Sequence, residues 1–480
     1  MTTINGSTKG NSRGRQQSAR RRTTTTTIQL EHKLLLTFVG CATFLFLSYR
    51  YFFSNNSDSL LGPQSMRLGK RRGGYGGGGG SNGRILKMRQ AMTDPNYDTH
   101  DKLLAQQILS AEANLIDVSF HGEEHILEDD GYSGVIGHFC PLNFQVQKDN
   151  PPDSPMFRDV VSKSDGCDGP NIIKVDLKEA VTLSREFDSF AKLNAYDSTY
   201  YNVPNQLQLK GVVFHESRCG STLAANTMMA INPIKHRVYS ESSPPIAAMK
   251  ACGELYQDCS LEASAYLLRD IIYMMGRSND PREENLFFKF QSITTRNLDT
   301  FRKAFPETPW IYLYREPVEV MMSQLDVPQM RMANCVRSHS RSEMVTRFVA
   351  RSGYDPIDLD DEEWCAIHLA TLCEAAIKNL NDADGLGMAV KYHTDLVHDF
   401  LDTVFPQHFK VPLDQEAIDR VIEVSGTYSK NRGRQGNFKA DSEEKEKKAT
   451  DGIREASSLF LEPSFHILQD SVNNIRNREA

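Results

Sequence analysis

From residue 206 onward, short apolar runs alternate with amphipathic stretches. "LKGVVFHE" (209–216) reads as a strand that ends at a glycine-containing turn. "STLAANTMMAI" (221–231) has helical spacing, with Leu223, Ala224, Thr227, Met228 and Ile231 on one face. "NLFFKFQS" is a strand, "TRNLDTFRKAF" a helix, "WIYLYRE" a strand and "PVEVMMSQL" a helix. "EEWCAIHLATLCEAAIKNL" predicts a longer helix, and "GMAVKYHTDL" a strand entering a turn. This alternation predicts an α/β domain over 206–470, with a central parallel sheet covered by helices. Upstream, "DKLLAQQILSAEANLI" (101–116) has helical periodicity. "GVIGHFCPLNFQVQ" and "NIIKVDL" read as short strands, with "KDNPPDSP" a loop. Residues 91–205 are therefore expected to form an accessory layer packed on the following domain, and no chemical constellation stands out there.

The N-terminus follows a different pattern. Leu34 to Phe53 is nearly all apolar, enough for one short crossing, which takes roughly 17–25 residues. Tyr49, Tyr51, Phe52 and Phe53 suit an interface belt. Arg20, Arg21, Arg22 and Lys33 before the run favour a cytoplasmic tail over 1–33, although Arg67, Lys70, Arg71 and Arg72 blunt that bias. A transmembrane signal anchor (34–53) of a type II protein is the leading reading. A cleaved signal peptide and an organelle transit peptide are its rivals. "RRGGYGGGGGSNGR" lies in a Gly/Arg-rich segment (54–90) and reads as a flexible stem.

Composition narrows the partners. A net charge of −7 argues against nucleic acid, whose phosphates call for a basic footprint. Nine cysteines include Cys41 within the apolar run. In an oxidising compartment Cys140 with Cys167, and Cys252 with Cys259, are candidate pairs; scattered buried thiols are the alternative. No cysteine or histidine spacing of a metal site is present, and no metal is expected. "RMANCVRSHSRSEMVTRFVAR" (331–351) is basic, and reads as a solvated helix face rather than as a surface for an anionic acceptor.

The chemistry centres on "FHESRCGST" (214–222). A strand, a tight glycine turn and a Ser/Thr-led helix make an anion site, because free N–H groups at the helix start face the ligand. Arg218, Cys219, Gly220, Ser221 and Thr222 form it. A Walker A loop has lysine between its last glycine and its hydroxyl residue; here Ser221 follows Gly220 directly, so triphosphate hydrolysis and kinase activity are disfavoured. A second site follows "WIYLY", where Arg315 ends a strand, Pro317 starts a helix and Ser323 lies eight residues past the arginine. Ligands of parallel sheets bind beyond the carboxyl ends of strands, so both arginines belong on one rim. A plain ion pair between Arg315 and Glu319 is the alternative there.

In order and spacing, "RCGSTL" and "YLYREPVEVMMS" resemble the sulfotransferases that use 3′-phosphoadenosine 5′-phosphosulfate, in particular the Golgi membrane-bound tyrosylprotein and carbohydrate enzymes. The resemblance spans roughly 208–470. It implies a P-loop NTPase-like three-layer fold, with Arg218–Thr222 cradling the 5′-phosphosulfate and Arg315 and Ser323 gripping the 3′-phosphate. It also implies Lys289 of "FFKFQS" beside the transferred sulfuryl group. "VKYHTDLVHDF" is similar to a later Tyr-Glu-Asp-Leu segment of the family, with His393 and Thr394 as departures. "NRGRQGNFK" is similar to the loop that closes over the nucleotide, through Arg432, Gly433, Gly436 and Phe438, with Asn431 where an arginine is usual. Glu241 of "RVYSESSPP" stands where the tyrosylprotein-type enzymes carry their base; His215 and Glu216 are second candidates that more plainly shape the turn. The expectation is sulfuryl transfer to a hydroxyl of a carbohydrate, tyrosine or small alcohol in the Golgi lumen, without a metal. A non-catalytic nucleotide- or glycan-binding member of the same fold is the alternative.

Overall fold

A computed structural model describes residues 84–121, 126–193, 203–252, 259–337, 343–382, 385–393, 395–426 and 442–479. The expected tail at 1–33, the expected span at 34–53, the stem up to residue 83 and the loop expected at 431–439 lie outside them. No helix among the described residues is long and apolar enough to cross a membrane.

The accessory region begins with helix α1 (Thr99–Leu109), capped by the Asp98 carboxylate. The helical reading of 101–116 is corrected at its end. Ala111 takes φ +58°, which breaks the helix, and Ala113–Phe120 is strand β1. Its first four residues are all buried, Asn114 among them, so the strand is buried on both faces instead of alternating. β1 pairs antiparallel with β2 (Val135–Pro141), which pairs with β3 (Ile173–Asp176). Helix α2 (Leu177–Leu193) follows.

Five parallel strands make the central sheet. The first is β4 (Gln208–His215), followed by α3 (Ser221–Ile231), β5 (His236–Ser240), α4 (Ser243–Ala251) and α5 (Leu261–Met275). Then come β6 (Asn285–Lys289), β7 (Trp310–Tyr314), α6 (Pro317–Leu325), α7 (Asp361–Asn381), β8 (Gly387–Lys391) and α8 (Gln415–Ser425). The spatial order is β8-β7-β4-β6-β5. The chain moves from β4 to one edge, returns to β6, then crosses to β7 and β8. That reversal at β4 opens a crevice at the carboxyl ends.

Alternate side chains of each strand enter two separate cores. Val212, Phe214, Tyr239, Phe288, Trp310 and Tyr312 join residues of α5 and α7. Val213, Val238, Phe287, Ile311 and Leu313 join residues of α3 and α8. Helices thus cover both faces. α3 is more buried than its one-faced pattern predicts: Asn226, Met229 and Ala230 are buried too, while Leu223 is only half-buried.

The accessory layer is locked to this domain by buried ion pairs. Arg277 meets Asp188 at 2.7 Å and donates to the Ile108 and Leu109 carbonyls, so it also caps the end of α1. Glu283 holds both Arg237 (2.5 Å) and Lys148 (2.6 Å). Disulfides join Cys140–Cys167 and Cys252–Cys259, as the spacing allowed, and Cys335–Cys365, which the sequence did not single out. Cys219 and Cys373 are buried free thiols. In the basic stretch, Arg347 pairs with Glu343 and Arg351 with Glu374, both at the surface, while Val345, Phe348 and Val349 face inward. Over Glu343–Ser352 that is a solvated helix face, while residues 338–342, with His339 and Arg341, lie outside the described residues.

Candidate active site

The turn after β4 is built by its own strand ends. His215 is buried, and burial is the main reason its imidazole falls to about 3, with the Lys289 charge adding to it. The neutral ring lies with Nε2 2.9 Å from the Phe290 carbonyl, and Nδ1 accepts the Ser217 N–H at 2.9 Å. Glu216 turns the other way. Its carboxylate oxygen accepts the Arg315 N–H at 2.7 Å, which ties this turn to the end of β7. Burial pushes the Glu216 carboxyl up to about 8 against that bond. Both residues shape the turn and are buried.

Directly after them the backbone is left-handed at Ser217 (φ +75°), Arg218 (+56°) and Gly220 (+85°). Turns of this kind aim successive N–H groups into one concavity that suits an anion. Gly220 is also required sterically, because a Cβ there would run into the ring of Tyr392. Gly220 caps α3, so Ser221 and Thr222 open its first turn. Arg218 is exposed, with no ion-pair partner among the described residues. Cys219 instead points inward: its thiol bonds the Leu313 carbonyl at 3.2 Å, and burial raises it to about 12. Only its backbone is left for a ligand.

Arg315 follows β7. Its guanidinium bonds Glu319 at 2.6 Å, so the plain ion pair read from the sequence does form. It also reaches the Arg218 carbonyl at 3.4 Å and stacks over Tyr392, 4.5 Å from the ring centre. Tyr392 therefore touches both arginine-bearing loops, a role that its place at the end of β8 only hinted at. Pro317 is the first residue of α6, as its position predicted. Two turns on, the Ser323 hydroxyl is buried and has no hydrogen-bond partner among the described residues. A buried hydroxyl without a partner loses the free energy of a hydrogen bond that a ligand can restore.

On the other side of β4, β6 and β5 end in register, with Lys289 beside Ser240. The next residue, Glu241, donates its N–H to the Lys289 carbonyl at 2.7 Å. It sits at φ +60°, and its carboxylate pairs with the buried Lys289 ammonium. The Lys289 side chain is 1% exposed and that of Glu241 26%, so the acid is the member that faces out. Burial alone would raise the Glu241 carboxyl; the Lys289 charge, with that of Arg158, holds it below the ordinary value. It is a carboxylate poised at the rim.

Five non-glycine residues among those described have positive φ, and three of them are Ser217, Arg218 and Glu241. Each such residue costs about 1–2 kcal/mol. Strain of this kind collects where function fixes the backbone. Of the residues read from the sequence, the fold brings the 218–222 turn, Glu241, Lys289 and Arg315 to one rim, with Ser323 buried in the helix behind Arg315. Arg432, Gly433, Gly436 and Phe438 lie outside the described residues, as does Thr394. His393 instead bonds Asp399 at 2.7 Å. The sequence reading missed a polar cluster in the accessory sheet, in which Ser119 Oγ lies 2.9 Å from His138 Nε2; its members are spread over three strands and carry no local pattern. No model of a known protein family matches the chain, and no curated protein matches it either.

Proposed function

We propose that this protein is a sulfotransferase of P-loop NTPase-like architecture, which moves a sulfuryl group from 3′-phosphoadenosine 5′-phosphosulfate to an acceptor hydroxyl. The observation that carries the reading is the convergence at one rim of three things: a left-handed Gly220 turn with an exposed arginine, a second arginine followed by an orphaned buried serine hydroxyl, and a Glu–Lys pair. The first two fit the two anionic ends of that donor. The pair fits the chemistry between them.

The donor supplies an activated sulfuryl group with a phosphate leaving group. The 218–222 N–H groups and Arg218 hold the phosphosulfate end, and Arg315 and Ser323 the 3′-phosphate. Glu241 accepts the proton of the attacking hydroxyl, a contribution of roughly 10²–10⁴-fold for a positioned base. Lys289 serves one partner at full strength. Drawn toward an anionic ligand, it releases Glu241, whose carboxyl then rises toward the range of a useful base. Fixed donors at the rim stabilise charge as it grows on the oxygens around sulfur. Three disulfides favour an oxidising lumen, and the 34–53 run a Golgi membrane anchor.

The test is a thermal-shift titration of the full chain with 3′-phosphoadenosine 5′-phosphate against ATP, followed by transfer from labelled donor. Stabilisation by the bisphosphate and not by ATP is expected. Stabilisation by ATP alone overturns the reading. Bisphosphate binding with no transfer to any hydroxyl class leaves a binding module and removes the catalytic claim.

A further inference from the structure

Glu241 is followed by two serines that lead out of the central sheet and into the accessory layer. Ser242 caps α4, is buried, and its hydroxyl has no partner among the described residues. Ser243 Oγ donates to the Ile116 carbonyl at 3.1 Å, one residue before Asp117. Ile116 is the point where the pairing of β1 with β2 slips, between Leu115 and Asp117. Such a bulge re-aims the side chains beyond it, and bulges are over-represented beside active sites.

Past the bulge, Asp117 sits opposite His138, and His138 opposite Lys174 on β3. Ser119 Oγ is 2.9 Å from His138 Nε2. All four of these side chains, with Ser243, are half-buried. Arg158, on the accessory helix Phe157–Ser162, is exposed, and its charge acts on Glu241. Its neighbour Met156 touches the Ser240 hydroxyl at 3.5 Å. A polar face of the accessory sheet thus begins two residues from the proposed base.

We infer that this face is the acceptor subsite, and that the acceptor is a saccharide whose anionic substituents meet Arg158. This rests on the sulfotransferase reading above and adds the substrate class to it. A carboxylate, an imidazole, two hydroxyls and an ammonium alternate donors and acceptors, as neighbouring sugar hydroxyls require. A tyrosine acceptor would need apolar walls for its ring, and the nearby aromatic side chains, Phe139, Phe144, Phe157 and Tyr239, are buried in the core. Asp117 and His138 are positioning residues: they orient the sugar, while Glu241 takes its proton.

The test uses the full chain, labelled donor and three acceptors: a uronic-acid oligosaccharide, its carboxyl-reduced form and a tyrosine peptide. Transfer to the oligosaccharides is expected to dominate. Asp117→Asn and His138→Gln should each raise the saccharide KM about tenfold, the loss of one good hydrogen bond, with bisphosphate affinity unchanged. Arg158→Ala should raise KM for the uronic-acid form alone. Should Asp117→Asn unfold the sheet, Ser119→Ala reads the same face. Preferred transfer to the tyrosine peptide, or saccharide KM values within twofold of wild type in all variants, overturns this inference while leaving the sulfotransferase reading intact. No bisphosphate binding by the wild type overturns both.

Discussion

Replacing Gly220 with alanine tests whether the left-handed turn is what holds the two arginine loops together. Two costs can be separated. The backbone at φ +85° imposes about 1–2 kcal/mol on any L side chain. The added Cβ also meets the Tyr392 ring and the Leu396 side chain. Forcing a methyl group into a packed site costs about 1–3 kcal/mol more. The sum is roughly 2–5 kcal/mol. Gly353 supplies the control, since it has φ +77° and no atom near its absent Cβ. Gly353→Ala should therefore lose only the backbone share, about 1–2 kcal/mol. Urea unfolding of the three proteins gives the difference. The Tyr392 ring cannot yield without disturbing Arg315, which stacks on it at 4.5 Å. Bisphosphate affinity should accordingly fall in Gly220→Ala and hold in Gly353→Ala. Equal destabilisation by the two changes, or unaltered affinity in Gly220→Ala, would refute the coupling through Tyr392.

Five further outcomes are expected. Glu241→Gln should slow single-turnover transfer by about 10²–10⁴-fold with bisphosphate affinity retained, and Lys289→Ala should move the acidic limb of the kcat/KM profile upward, because the main charge holding Glu241 low is gone. Glu216, raised to about 8, binds its proton more tightly folded than unfolded, so its contribution to stability is present below its unfolded value and is lost as pH rises toward 8; Glu216→Gln should flatten that fall, worth roughly 3–5 kcal/mol, in urea melts taken across the range. Ser323→Ala should leave the unliganded protein as stable as wild type or more so, since it deletes an orphan, yet weaken bisphosphate binding about tenfold in calorimetry. Replacing Cys335 and Cys365 together with serine opens a cross-link of 30 residues and should cost about 3–4 kcal/mol in melts without reductant.

The central domain was legible because its elements alternate. Strands such as Trp310–Tyr314 are short apolar runs; Glu216, Glu241 and Arg315 follow three of the five, and the helices after those three begin with Ser221, Ser243 and Pro317. The rim was legible for the same reason: ligand-facing residues of a parallel sheet sit at strand ends, and strand ends can be read. The accessory region was less so. β1 is buried on both faces at its start and merged with the helix before it, and only the positive φ of Ala111 separates them. The Ser119–His138 contact depends on strand pairing and on a bulge, neither of which has a local sequence signature. The third disulfide joins residues 30 apart whose approach is set by the packing of α7. Gly220 was readable as a turn residue, but its contact with Tyr392 joins two distant strands and appears only in the fold.

What keeps the strained rim in place is its bonding to the strands behind it. Ser217 is fixed by the ring nitrogen of His215, whose other nitrogen reaches the backbone of Phe290. Arg315 is fixed through its N–H by Glu216 and through its side chain by Glu319. Glu241 is fixed by the carbonyl and the ammonium of one residue, Lys289. Ser217 is thus held from the end of its own strand, and Arg315 and Glu241 are held from the ends of neighbouring strands. Such strain persists only where surrounding structure over-determines it. The consequence is a division of labour at the two sides of β4. In the proposed transfer the Arg315 side, cross-bonded and buried, serves the fixed anion. The Glu241 side, whose one partner Lys289 can be exchanged, serves the acceptor proposed above.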